Sequence, residues 1–117
     1  MLPKENRLSK EKDFERVFAG GKSFKEKKIV LKKAENNLDF SRFGFIVGKR
    51  VSLKAVERNR IKRKMRESAK TNNLKKGYDA VVIALPGIKE DEIENDMRML
   101  FKKSRMFKNE ENINSSN

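Results

Sequence analysis

Eighteen residues, Lys49 to Arg66, hold nine basic side chains and one acidic one, Glu57, a net of +8. Ammonium and guanidinium groups at that density do one kind of chemistry well: they hold phosphates, and arginine adds a two-pronged fit to phosphate oxygens. At about 100° per residue on a helical wheel, Ile61, Met65 and Ala69 make a narrow apolar edge. Lys62, Arg66, Arg63, Arg60 and Lys64 cover most of the remaining circumference, and Asn59 sits beside Lys62 and Arg66. Cations this close repel one another, and alternating signs would solubilise a helix better. A solvated helix face or a localisation-type basic run is the bland alternative. Length, arginine content and a place inside a globular pattern favour phosphate binding.

Other chemistry is excluded or weakened. The chain has no His and no Cys, so histidine acid–base catalysis, thiolate nucleophiles, thiolate zinc sites and disulfides are absent. Phe is the abundant aromatic, with 8 residues against one Tyr and no Trp. Phe14 and Phe18 share a helical face, as core residues or as a platform on which bases stack, and spacing does not separate the two.

The elements that must position these groups are short. The 117 residues form one domain over 1–107, with an Asn-, Ser- and Glu-rich tail over 108–117 expected to be disordered. Lys+Arg 30 against Asp+Glu 17 gives +13 and a pI near 10.1, so a polyanion is the expected partner. No apolar run approaches the ~20 residues of a membrane span, and Met1–Arg7 lacks a signal peptide's apolar stretch, so the expected compartment is the cytoplasm.

A first helix is expected over Lys10–Ala19, capped by Ser9 and ended by a left-handed glycine at Gly20-Gly21. Strands follow at Ser23–Lys25, Lys28–Ala34 and Ser41–Lys49, with a turn at Glu35-Asn36-Asn37. The basic helix spans Lys54–Lys70, starting near Ser52 or Leu53 and broken at Thr71-Asn72-Asn73. A buried strand, Tyr78–Leu85, stops at Pro86-Gly87. A third helix over Glu90–Phe107 carries Ile93, Met97, Leu100, Phe101 and Ser104 at helical period, with acids first and bases last to suit its dipole. The order α-β-β-β-α-β-α is an α/β sandwich on one sheet.

At these residues the chain resembles the protein subunit of bacterial ribonuclease P, from about Asn6 to Phe107. Ala55 to Arg63, with Arg58-Asn59-Arg60 at its centre, is similar to the family's helix signature. Arg7-Leu8 with Asp13-Phe14 and Val17-Phe18, Arg42-Phe43-Gly44 with Val47 and Lys49-Arg50-Val51, and Tyr78-Asp79 before a Val/Ile/Ala strand agree in order and spacing.

The resemblance implies a two-layer sandwich with a mostly antiparallel four-stranded sheet and a left-handed β-α-β crossover. It implies one protein bound to a catalytic RNA that, with Mg²⁺, removes the 5′ leader from precursor tRNA. The protein would bind the leader and raise affinity for substrate and metal, holding no cofactor, metal or catalytic residue itself. By motif position, Phe14, Phe18, Val30, Lys32, Ile46, Asn59, Lys62, Arg66 and Phe107 would line the leader cleft. Arg58, Arg60, Arg63 and Lys64 would face the catalytic RNA, with Lys49, Arg50 and Lys54 adding charge. The chain departs from the family at Lys32, where members often carry Tyr; lysine holds a phosphate but offers no ring.

A ribosomal-type protein or RNA chaperone fits the composition equally, and only the four ordered blocks favour the first reading. An autonomous nuclease would use Asp79, Glu90, Asp91, Glu92, Glu94 or Asp96, but most of these fall where a helix start wants negative charge. A membrane-surface role is disfavoured by the narrow apolar edge of the basic helix.

Overall fold

A computed structural model describes residues 3–71 and 73–108. Its elements are α1 (Glu11–Gly20), β1 (Lys22–Glu26), β2 (Ile29–Glu35), β3 (Arg42–Ile46), α2 (Ala55–Thr71), β4 (Tyr78–Ala84) and α3 (Ile93–Lys103), with 3₁₀ turns at Lys4–Asn6 and Glu90–Glu92. The order and element types are those expected from the sequence. Asn72, in the expected break, and residues 109–117 of the expected tail lie outside the described residues.

The sheet runs β1-β2-β4-β3. β1–β2 and β2–β4 pair antiparallel, and β3–β4 pair parallel through the α2 crossover. Period-2 alternation assigns the faces. Leu31, Val82, Ala80 and Phe43 point to one face, where Ile61, Met65 and Ala69 of α2 and Ile93, Met97, Leu100 and Phe101 of α3 close the main core. The apolar edge read from the wheel of α2 is thus the buried one. The other face holds Val81 with Val17 of α1 and Leu8, and Phe14, Ala34, Ile46 and Ile83 pack around them half-buried. α1 therefore adds cover to the second face of the sheet and leaves part of it open.

Four boundaries differ from expectation for local reasons. Ser9 does not cap α1: the cap position is Lys10, with no side-chain cap, and its carbonyl accepts from Asp13 and Phe14 N–H at 3.0 and 3.2 Å. The preceding chain is held extended, because Leu8 N–H donates to the Phe43 carbonyl at 2.8 Å. Gly21 ends α1 at φ −81°, not left-handed. Glycine is required there by crowding, since a Cβ would sit 2.4 Å from the Val17 carbonyl oxygen and 2.9 Å from that of Lys33.

β3 stops at Ile46 and not Lys49, because its ladder with β4 ends at Ile46–Ile83 and Gly48 opens a turn closed by Val51. The third helix is shorter than Glu90–Phe107. The acids Glu90–Glu92 form the 3₁₀ turn, and the helix ends after Lys103, where Arg105 turns at φ +58° and lets Phe107 bridge to Leu74.

Asp79 ties the layers together. Its buried carboxylate accepts from Arg42 Nε and Nη2 at 2.8 and 2.7 Å and from Asn36 Nδ2 at 2.9 Å, and it pairs with Arg16 of α1. Burial alone would push this carboxyl up. The hydrogen bonds from Arg42 and Asn36 and the charges of Arg42 and Arg16 outweigh it and hold the group below its ordinary value of 3.8.

Candidate nucleic-acid interface

The open edge of β3 is the place where the sequence-predicted residues meet. α1 approaches it from one face and α2 from the other. The N-terminal segment pairs with β3 at Arg7–Phe43. A groove of about 190 Å³ along this edge is lined by Arg7, Leu8, Phe14, Phe43, Gly44, Phe45, Lys62 and Arg66. Phe14, Lys62 and Arg66 are thus brought together from elements about fifty residues apart. Asn59 lies exposed on the same stripe of α2, one turn before Lys62.

Gly44 makes this groove possible. A Cβ there would lie 2.6 Å from two ring carbons of Phe14, so the ring rests directly on the strand backbone. Gly44→Ala should lift the Phe14 ring off the strand, lowering stability by about 1–3 kcal/mol, the usual scale of overpacking. Thermal melting checks the stability, and single-strand RNA affinity should fall with it.

Val30, Lys32 and Ile46 lie on the α1 face of the sheet, where Val30 is paired to Ile83 and Ile83 to Ile46. Phe18 is 41% exposed beside them, with the Lys32 ammonium 5.5 Å from its ring centroid. The position that lacks its own ring therefore seats its charge against a neighbour's. Phe107 does not join this group. It packs edge-on to Phe101, centroids 6.0 Å apart, in the core on the opposite face. Its placement follows from the early end of α3.

The remaining cations of α2 divide. Arg63 is exposed, as are Lys49, Arg50 and Lys54 ahead of the helix. Arg58 donates to the Ser52 carbonyl at 3.0 Å. Arg60 is clamped in two-pronged fashion by Glu90, at 2.5 and 2.8 Å, and Lys64 lies 3.8 Å from the same carboxylate. The hydrogen bond from Arg60, with its charge, holds Glu90 below the ordinary value of 4.5.

An anion reaching Arg60 must compete with Glu90. Glu90→Gln adds one unit of positive charge and frees the guanidinium, so polyanion affinity at low salt should rise about two- to fivefold and the gain should shrink as salt screens it. Titration with RNA at two salt concentrations tests this.

Composition and spacing did not mark out Glu90, Phe43, Phe45 or Gly44 as parts of this surface. The signal for the last three was available, a glycine between two phenylalanines on an edge strand.

Three of the acidic side chains are taken up by cations: Asp79 by arginines, Glu90 by Arg60, and Glu92 by Lys27 at 2.9 Å. Among the described residues no three acidic side chains gather into a set that could hold a metal ion. No helix among them is long and apolar enough to cross a membrane.

Comparison with known proteins gives one consistent result. The family model described as Ribonuclease P matches residues 2–105. The ribonuclease P protein component of Dehalococcoides mccartyi is 48% identical over 79 residues, a match spanning 68% of this chain and 65% of that protein. That of Alkaliphilus metalliredigens is 37% identical over 107 residues, spanning 87% and 96%. The solved RNase P protein of Staphylococcus aureus superposes with a TM-score of 0.79 at 29% identity, over 87% of this chain and 97% of that one.

Proposed function

The chain belongs to the bacterial ribonuclease P protein family, and on that premise we propose that it serves as the RNA-binding subunit of a ribonuclease P holoenzyme. One copy binds one catalytic RNA. The RNA, with Mg²⁺, performs the endonucleolytic cut that removes the 5′ leader from precursor tRNA. Mg²⁺ belongs to the RNA in this reading. The protein supplies cations and apolar contacts, which raise the affinity of the complex for substrate and metal without taking part in the cleavage.

The observation that carries the reading is the groove at the β3 edge, where Phe14 stands against Lys62 and Arg66. A groove of aromatic and cationic walls beside the edge strand β3 suits a single strand. Bases can rest on rings while phosphates meet lysine and arginine. Phe18, Lys32, Val30, Ile46 and Asn59 extend the leader surface on either side of it. Phe107, packed on the far face, is not included.

Arg63, Lys49, Arg50 and Lys54, with Arg58, Arg60 and Lys64, form the surface for the catalytic RNA. α2 can serve two RNA segments because its stripes point different ways.

The deciding experiment is precursor-tRNA cleavage at low Mg²⁺ by a bacterial ribonuclease P RNA, with and without this protein. The protein should restore cleavage that low Mg²⁺ suppresses, and the protein alone should not cut. Cleavage by RNA-free protein that survives repurification and co-elutes with it overturns the proposal, as does a protein that leaves the low-Mg²⁺ rate unchanged.

A further inference from the structure

The most basic stretch of the chain, Lys49 to Arg66, contains two aliphatic side chains turned to solvent. Leu53 is 85% exposed and Val56 73%, against 39–41% for the other exposed large hydrophobics. Scattered exposed aliphatics need no explanation. These two lie three residues apart at the start of α2, with Lys49, Arg50 and Lys54 exposed around them.

Local packing does not account for them. A residue in Leu53's place, just before the helix cap, ordinarily packs on the fifth position along, and here that position is Arg58. The core is closed by Ile61, Met65 and Ala69 on the other side of the helix.

The shoulder that carries them is braced. Ser52 Oγ lies 2.6 Å from Glu57 Oε2 and accepts from Lys54 N–H at 3.1 Å. Arg58 donates to the Ser52 carbonyl at 3.0 Å, and Val51 N–H closes the preceding turn on Gly48 at 3.1 Å. The only acidic side chain in the window, Glu57, is turned into this brace. The backbone that presents the two aliphatics is therefore held before any partner arrives, so less ordering entropy is lost on contact.

We propose that Leu53 and Val56 form an apolar seat for an unstacked nucleotide of the catalytic RNA, whose flanking phosphates meet Lys49, Arg50 and Lys54. This rests on the reading that RNA is the partner and adds which RNA feature the shoulder recognises. A partner that is anionic and also offers a bare apolar face fits both halves of the surface. A paired base presents its edge and hides its ring faces in the stack, whereas a bulged or loop nucleotide exposes them. A second copy of this chain would bring like charge against like at this face. A lipid surface would need a broad apolar stripe, and apart from the small Ala55 the other apolar residues of α2, Ile61, Met65 and Ala69, are buried.

The test is binding of the full chain to a bacterial ribonuclease P RNA and to a perfect RNA duplex of equal length. The variants are L53S/V56S and, separately, K54Q. Because Leu53 and Val56 are exposed, L53S/V56S should melt and show circular dichroism as wild type does. It should bind the ribonuclease P RNA about tenfold more weakly, the scale of losing one buried aliphatic contact, with an unchanged salt slope. Binding to the duplex should not change. K54Q should flatten the slope for both RNAs by about 0.7–0.9.

The inference fails if L53S/V56S binds both RNAs as wild type does while K54Q behaves as stated, and the parent reading then stands. It fails as well if the double variant loses both RNAs equally, or if its defect is loss of self-association in sedimentation or of binding to anionic phospholipid vesicles. A wild-type chain that binds the two RNAs alike defeats the parent reading, and this one with it.

Discussion

Asp79→Ala should destabilise the protein by about 3–5 kcal/mol, toward the lower end because the Arg16 side chain is partly exposed and screened. The loss comes less from the missing attraction than from what remains: Arg42, largely buried and two-pronged onto a carboxylate that is gone, and Asn36 left with only the Phe40 carbonyl of its two acceptors. Asp79→Asn keeps the shape and should cost less. Urea denaturation at neutral pH gives the magnitudes.

The same pair of proteins tests the electrostatics through pH. The folded-state carboxyl lies below its ordinary 3.8, so its contribution is complete above that value and drains away as pH falls through the lower folded value. The stability gap between wild type and Asp79→Asn should therefore narrow only below about pH 4, where an unfolded Asp begins to bind protons. A gap that closes between pH 7 and 5 would mean Asp79 is not the charged centre of the cluster.

The second large effect belongs to the groove. Lys62→Ala with Arg66→Ala should lower holoenzyme affinity for precursor tRNA carrying a leader several nucleotides long by about 10- to 100-fold, the range for lost charge-assisted contacts. The salt slope should flatten by about 0.7 for each single-strand phosphate contact removed. Affinity for mature tRNA and assembly with the catalytic RNA should hardly change. Arg60→Ala should do the reverse, weakening assembly for every substrate. The measurement is two titrations, protein into catalytic RNA and holoenzyme into precursor or mature tRNA. Equal losses in the same step for both variants would make α2 one undivided cationic patch.

What could be read from the sequence was what depends on near neighbours. The buried edge of α2 is visible because Ile61, Met65 and Ala69 recur at helical spacing. The two faces of β3 are visible because Phe43 and Phe45 alternate with Gly44 and Ile46. The cation division on α2 was half visible: the wheel separates Lys62 and Arg66 from Arg60 and Lys64, but not the partner that occupies Arg60. Glu90 lies 30 residues away, and nothing in its own neighbourhood distinguishes it from the other acids of that turn.

Distance in sequence hid Asp79 in the same way, since its partners stand at positions 16, 36 and 42. The third helix was carried too far, to Phe107, because its helical period runs through Ser104. The backbone reverses there at Arg105, a positive-φ residue that is not glycine and so carries no sequence signal.

The sheet order β1-β2-β4-β3 puts the last strand to be synthesised at the second position from its edge, between β2 and β3. While the chain is emerging from the ribosome, β3 has no partner strand and β2 has only its hairpin partner β1. The basic helix α2 is finished before the surface it packs on exists. Sheet closure must wait for residue 84, the end of β4. A chain cut short before Tyr78 would carry every cation of α2 and no framework to aim them. Folding is therefore a late, nearly single event that depends on non-local pairing, and non-local pairing is slow. Until β4 arrives, the nascent chain is a polycation with nothing to aim its charge, so any selectivity for one RNA can date only from the closing of the sheet.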